Sequence, residues 1–286
     1  MRTLPLFLGI SSLLLAACGD DGGKAQDAGP QDGISIHDTF EPPPDSPPVD
    51  ADPSLSFSCY QNAAPTTAEA NVSISGSVQT FGTSGGDPIV GAPVKACKGD
   101  CVGPNQLASV LSGAAGVFTT GDLATNGAPV AGYLVATKPA DPQPPAQPGP
   151  NYFKTFVFPA TPLAASLSNI PVPMITQANL DQIALFVGTQ DADKGVLALL
   201  VTDCSSPYKG VIGATVSVKE GGAEVGGDPF DVGGIVGDQA AGTYLMTNVP
   251  PGNATITVTY AGMTFLTNTV IIEAQAATAA QIRPGY

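Results

Sequence analysis

The chain has no tryptophan and a single histidine, His37, in 286 residues. Histidine is the usual base beside a nucleophilic serine or cysteine, so a Ser–His or Cys–His pair is excluded from everything that follows His37. Basic residues are also scarce: ten Lys and Arg stand against 24 Asp and Glu, a net charge of −14. Such a surface repels nucleic acid and anionic lipid headgroups. Long helices of the Ala/Glu/Lys/Leu kind are nearly absent, and there is neither a phosphate loop nor a dinucleotide fingerprint. The apolar stretch Leu4–Leu15 is about a dozen residues where a transmembrane span needs roughly 20. Asp20 and Asp21 follow, so it cannot be extended.

What is present begins with Cys18. A basic start (Arg2), the apolar stretch and the small residues of Leu15-Ala16-Ala17-Cys18 have the order of a secretory signal. This ending resembles a bacterial lipobox, which implies that 1–17 are removed and that Cys18 is lipidated. One acyl chain anchors a protein only marginally, and the triacyl modification that the resemblance implies gives a stable hold. By the same resemblance an Asp directly after the cysteine marks the inner membrane. Gly19 stands there, which favours the outer membrane of the cell envelope.

Residues 18–56 read as a disordered tether. They hold Asp20, Asp21, Asp27, Asp32, Asp38, Glu41, Asp45, Asp50 and Asp52 with Lys24 as the one base, and Pro42-Pro43-Pro44 and Pro47-Pro48 stiffen the chain. This composition buries too little apolar surface to offset chain entropy. About 35 residues at roughly 3 Å each give a reach on the order of 100 Å. The acids lack the spacing of a calcium loop, and His37 reads as a solvated bystander.

The remainder is rich in Gly, Pro, Thr, Val and Ala. Short β-branched runs alternate with turn residues, the pattern of an all-β sandwich protein. About 230 residues are too many for one small sandwich and suit two. Strands are expected at Asn71–Gln79, Ala92–Cys97, Gly116–Thr120, Gly132–Lys138 and Lys154–Phe158. In the second half they are expected at Gly195–Thr202, Ala214–Lys219, Gly242–Thr247, Asn253–Tyr260, Met263–Glu273 and Ala277–Arg283. Thr176–Gly188 reads as one helix, capped by Thr176, ended by Gly188, with Leu180, Ile183, Ala184 and Val187 on its apolar face.

The halves share an internal repeat. Gly91-Ala92-Pro93-Val94 matches Gly213-Ala214-Thr215-Val216, and Gly116-Val117-Phe118-Thr119 matches Gly242-Thr243-Tyr244-Leu245, in the same order. Asn248-Val249-Pro250-Pro251-Gly252-Asn253 is a turn in which Pro sets the corner and Gly the positive φ. It leads into the alternating run Ala254–Tyr260 and a tight hairpin at Ala261-Gly262. Taken in order, Gly195 to Asp203, Gly213 to Val216, Gly242 to Tyr244, Asn248 to Gly252 and Val258 to Gly262 resemble the carboxypeptidase regulatory-like family over 194–286. The likeness extends loosely over Asn71–Lys138. It implies transthyretin-like or Ig-like seven-stranded sandwiches that serve as spacer or interaction modules, with no catalysis. B-type adhesin repeats, a related family, carry Lys–Asn isopeptide bonds, which nominates Lys194, Lys209 or Lys219 with Asn268.

Apart from Cys18, four cysteines remain: Cys59, Cys97, Cys101 and Cys204. An even count in an exported chain implies two disulfides. Cys97 with Cys101 leaves Cys59 for Cys204, while Cys59 with Cys97 or Cys101 keeps a bridge within the first half. A metal site would need further Cys or His ligands, so none is expected, nor any cofactor. Paired-carboxylate chemistry remains open through Asp181, Asp191, Asp193, Asp203, Asp228 or Asp231. Asp191-Ala192-Asp193-Lys194-Gly195 holds half a calcium loop and reads as a turn after the helix.

The expected organisation is a signal peptide at 1–17, the tether at 18–56, a first sandwich at 57–175, a linking helix at 176–193 and a second sandwich at 194–286. The expected function is that of a non-enzymatic, lipid-anchored surface protein with a structural or display role. Its membrane contact is the lipid on Cys18, and its partner is an envelope protein or a glycan. The contrasting reading, a carbohydrate-binding or carbohydrate-processing lipoprotein, needs exposed coplanar rings among Tyr133, Tyr152, Phe153 and Phe156. An accessory of a larger exported enzyme or secretion system is the third.

Overall fold

The computed structural model describes residues 51–81, 86–138, 151–233 and 240–286. Cys18, His37 and most of the expected tether lie outside them. Contacts divide the chain into Met1–Asp45 and Ser46–Tyr286, and the second unit alone is considered below.

In the first half the strands are β1 (Asn71–Val72), β2 (Ile74–Thr80), β3 (Pro93–Cys97), β4 (Gln106–Leu111), β5 (Val117–Thr119), β6 (Leu123–Ala124), β7 (Tyr133–Ala136), β8 (Lys154–Phe158) and β9 (Leu167–Met174). The helix α1 (Gln177–Val187) follows. In the second half they are β10 (Gly195–Val201), β11 (Thr215–Glu220), β12 (Ala223–Glu224), β13 (Phe230–Asp231), β14 (Thr243–Val249), β15 (Gly252–Tyr260), β16 (Met263–Thr264), β17 (Asn268–Ile272) and β18 (Ala276–Ile282).

The two halves are wired alike. β2 pairs antiparallel with β5 and parallel with β9, just as β10 pairs antiparallel with β14 and parallel with β18. β3 lies between β4 and β7, and β11 between β12 and β15. β7 then pairs with β8, and β15 with β17. Each half therefore holds the same seven-strand pattern in two sheets, an Ig-like β-sandwich. The repeat seen in the sequence is a repeat of structure. Gly116 (φ 70°) and Gly242 (φ 73°) occupy equivalent places before β5 and β14, where a Cβ would run into the carbonyl oxygens of Val78 and Val201 respectively. Only glycine fits both the backbone angle and the close approach.

The sandwiches join edge to edge. β8 of the first pairs in parallel with β18 of the second, from Lys154↔Ala276 to Phe158↔Ala280. The result is one eight-stranded sheet ordered β13-β14-β10-β18-β8-β7-β3-β4. Side-chain alternation along its strands feeds two cores. Val94, Ala96, Leu134, Ala136 and Val157 point toward β2, β5 and β9. Tyr133, Val135, Phe156 and Phe158 point the other way and join the core beneath β11, β15 and β17. The central sheet is thus covered on both faces by staggered partners, and buried strands become locally apolar on both sides.

The helix sits where the sequence placed it. The Thr176 hydroxyl accepts from Asn179 N–H, the Asn179 side chain accepts from Thr176 N–H, and Gly188 ends it at φ 85°. Its buried Leu180 packs with Ile175, Phe81 and Phe153 from the first half and Val196 and Ala277 from the second. It is a plug across the joint.

Candidate functional site

The most elaborate polar arrangement among the described residues lies where the chain enters the folded body. Asp203 lies two residues past the end of β10 and is fully buried. Its carboxylate accepts from Ser56 N–H (2.9 Å), Lys209 N–H (2.8 Å), Ser205 N–H (3.1 Å) and the Ser205 hydroxyl (2.7 Å). Burial alone would raise its pKa, but the hydrogen bonds from Lys209, Ser56 and Ser205 outweigh burial and hold the carboxyl below the usual aspartate value. One of those donors, Ser56, lies 147 residues away in sequence.

Around this carboxylate the segment 52–62 is fastened at several points. Cys204 N–H donates to Ser56 O at 2.7 Å, and the Lys209 ammonium donates to Ser54 O at 2.8 Å. Asp52 N–H donates to the Tyr260 hydroxyl at 3.1 Å. The Phe57 ring stacks on Tyr260 at 5.7 Å and tilts against Phe265 at 6.1 Å. Asn62 reaches Tyr286 O at 3.3 Å. The Cys59–Cys204 disulfide locks the assembly, with a Cα–Cα distance of 5.5 Å. The docked segment therefore begins by Asp52, ahead of the boundary at 56 and 57 that composition suggests, and it packs on the second sandwich before the chain enters the first.

The second disulfide joins Cys97 to Cys101 and closes the turn between β3 and β4. Of the connectivities left open by the sequence, the structure takes the one with a short loop and a long bridge between the halves.

The other nominated residues do not assemble into a site. Tyr133 and Phe156 are core: Tyr133 stacks on Phe158 at 4.9 Å, and its hydroxyl donates to Gly99 O. Tyr152 and Phe153 are half-buried beside a cavity of about 460 Å³ that Gln190, Asp191 and Lys194 also line. The four rings form no exposed platform. A second cavity, about 230 Å³ and apolar, lies between β9 and the β10/β18 face of the central sheet. Asp181 accepts from the Gln177 amide on the helix, and Asp231 from Gly213 N–H. The Asp191–Lys194 stretch is a turn closed by Lys194 N–H on Asp191 O. Lys194 pairs with Asp193 (3.7 Å), Lys219 with Glu224 (3.4 Å), and Lys209 serves Ser54, so each lysine is engaged elsewhere than with Asn268 on β17. Among the described residues no group of three or more His, Cys, Asp or Glu side chains is placed to share a metal ion. No described helix is long and apolar enough to cross a membrane.

In the sequence Asp203 stands out as one carboxylate of several and as the last residue of the Gly195 to Asp203 motif. Its adjacency to Cys204 was the local signal. Its partner Ser56 is a long-range contact that no spacing reveals.

No family model and no curated protein matches the chain. Among solved structures it is similar to the Bacillus anthracis TIE protein at 13% identity and a TM-score of 0.22, covering 75% of this chain and 34% of that one. It is similar to GBS52, the minor pilin of Streptococcus agalactiae, at 12% identity and a TM-score of 0.25, covering 74% and 95%. For the shaft pilin SpaA of Lactobacillus rhamnosus GG the identity is 12% and the TM-score 0.22, covering 77% and 99%. The chain spans about a third of the length of the TIE protein. The assignment of the fold rests on the strand connectivity described above.

Proposed function

We propose that this is a non-enzymatic, lipid-anchored protein of the bacterial cell envelope whose paired sandwiches act as a structural or display module at the end of a tether. The observation that carries the reading is the clip at 52–62. A chain arriving from a tether is bonded, stacked and disulfide-locked to the second sandwich, so traction on the tether enters through Cys59 and Cys204. Residues between those cysteines lie inside a covalent loop and are spared that traction. The two disulfides support an oxidising compartment. The Leu-Ala-Ala-Cys sequence supports lipidation of Cys18 and export, with Gly19 favouring the outer membrane. The strand pattern and the Asn248–Gly252 turn support kinship with carboxypeptidase regulatory-like modules, whose usual part is spacing or interaction.

The anchor is tested by replacing Cys18 with Ala and fractionating cells. The native protein is expected in the membrane fraction, and the variant in the soluble or secreted fraction. Membrane retention of the variant would contradict the lipid tether.

A further inference from the structure

The cavity beside Tyr152 and Phe153 holds neither a ring platform nor a carboxylate pair, but its other groups suit a different ligand. Its volume of about 460 Å³ falls within the roughly 300–1,000 Å³ of small-ligand sites. It opens where three parallel neighbours of the central sheet begin: β8 at Lys154, β18 at Ala276 and β10 at Gly195. Buried Leu180, Val196 and Ala276 give it an apolar wall. Its rim is the turn from Asp191 to Lys194.

That turn is braced from β14. Asn248, in the left-handed region at φ 58° that asparagine tolerates, accepts from Asp191 N–H through its Oδ1 at 2.7 Å and donates its amide to Thr189 O at 2.9 Å. Gln190 accepts from Asn248 N–H at 3.0 Å and donates to Asp191 O, also at 3.0 Å. Lys194 N–H donates to the same oxygen at 3.2 Å, and Gln275 N–H donates to Lys194 O at 3.0 Å. Both backbone groups of Asp191 are thus engaged, while its carboxylate has no partner among the described residues. The Lys194 ammonium rests 3.7 Å from the exposed Asp193, a surface contact that contributes little. Lys154, by contrast, is paired with Glu273 at 2.8 Å. The side-chain amides of Asn151 and Gln275 line the same cavity and bond to no described residue. The turn is therefore fixed by its backbone and presents two charges of opposite sign that do not pair with each other, the arrangement of a preorganised site.

We infer that this cavity binds a dipeptide-sized zwitterion, with the ligand's ammonium at Asp191 and its carboxylate at Lys194. A ligand of one sign is repelled by one of these two groups, and a neutral ligand gains from neither charge. The spacing suits a short peptide: the first and last Cα atoms of such a turn lie within about 7 Å, and two extended residues span about 7 Å. The Asn151 and Gln275 amides each offer a donor and an acceptor, as the peptide group of the ligand requires. The wall of Leu180, Val196 and Ala276 takes its small apolar side chains. This site lies apart from the clip at 52–62 and needs no lipid anchor, so it adds a binding activity to the display role.

Titration calorimetry of the full chain in detergent tests this, with alanyl-alanine as the probe. A dissociation constant of about 1 mM or below is expected. Asp191→Asn and Lys194→Gln should each weaken binding about three- to tenfold. Neither side chain makes a buried bond, so both variants should melt with the native chain. N-acetylated probe, which lacks the ammonium, should bind native and Asp191→Asn protein equally, and C-amidated probe should bind native and Lys194→Gln protein equally. No binding to the native chain up to about 10 mM would overturn the inference. So would binding that neither variant weakens, a doubly capped probe held as tightly as the free dipeptide, or a neutral disaccharide that displaces it.

Discussion

Replacing Cys59 and Cys204 by Ser is expected to lower the unfolding free energy by about 3–5 kcal/mol. The bond spans 145 residues, and a loop of that length removes much of the freedom of the unfolded chain. For a body of this size the melting temperature should fall by on the order of 10 °C. The Cys97–Cys101 bond closes a separation of only 4 residues, so its removal is expected to cost about 2 kcal/mol or less. Calorimetry on the two double variants checks the contrast. Equal losses would mean that the long bridge does not constrain the body as a whole.

Replacing Asp203 with Ala is expected to cost roughly 3–5 kcal/mol, because three backbone N–H groups and the Ser205 hydroxyl lose their acceptor in a buried place. Asp203→Asn keeps one acceptor oxygen and should cost about half as much. The sign of the pH dependence follows from the lowered pKa. The folded state binds a proton at this group less readily than the unfolded state does. Its contribution is therefore complete above the unfolded aspartate pKa of about 3.9 and is lost as pH falls through the lower folded value. The gap between denaturant titrations of native and Asp203→Asn protein should begin to narrow below about pH 4 and close once the pH has passed the lowered folded value. A constant gap between them down to strong acid would show that Asp203 is not held ionised by these donors.

Much of the fold was legible because strands with one buried face announce themselves by alternation. Ala254–Tyr260 alternates Ile256, Val258 and Tyr260 against Thr255, Thr257 and Thr259, and it lies in β15, Gly252–Tyr260. Lys154–Phe158 was bounded correctly, as were both helix caps. The expected tight hairpin at Ala261-Gly262 is present, with positive φ at both residues. The expected strand Met263–Glu273 proved to be two, β16 and β17: Phe265 N–H still donates to Val258 O while its ring enters the core, and the chain leaves β15 at Leu266, whose N–H turns to Arg283 O. β9 went unseen because Pro171 and Pro173 argue against a ladder. It is an edge paired only with β2, where proline is tolerated. β4 went unseen because Gln106–Leu111 lacks alternation, having one face against the core and little contrast on the other.

The clip and the joint were illegible for a different reason. β8 and β18 meet across the whole second half, and Ser56 meets Asp203 across 147 residues. Such contacts are set by the packing of complete sandwiches, and no local pattern encodes them. The cysteines gave the nearest hint: a bridge from Cys59 to Cys204 was one of the open pairings, and it is the one that places the entering chain on the second sandwich.

Pulling the chain by its two ends in a force spectrometer tests the clip most directly. With Cys59 bonded to Cys204, unfolding the body should release only the residues outside the loop, about 90 at 3.3–3.6 Å each or roughly 30 nm. Adding a reductant should lengthen the release by the 145-residue span, roughly 50 nm more. Release of the full length of about 80 nm without reductant would contradict the account, because traction would then pass through the first sandwich and no covalent clip would join the tether to the second.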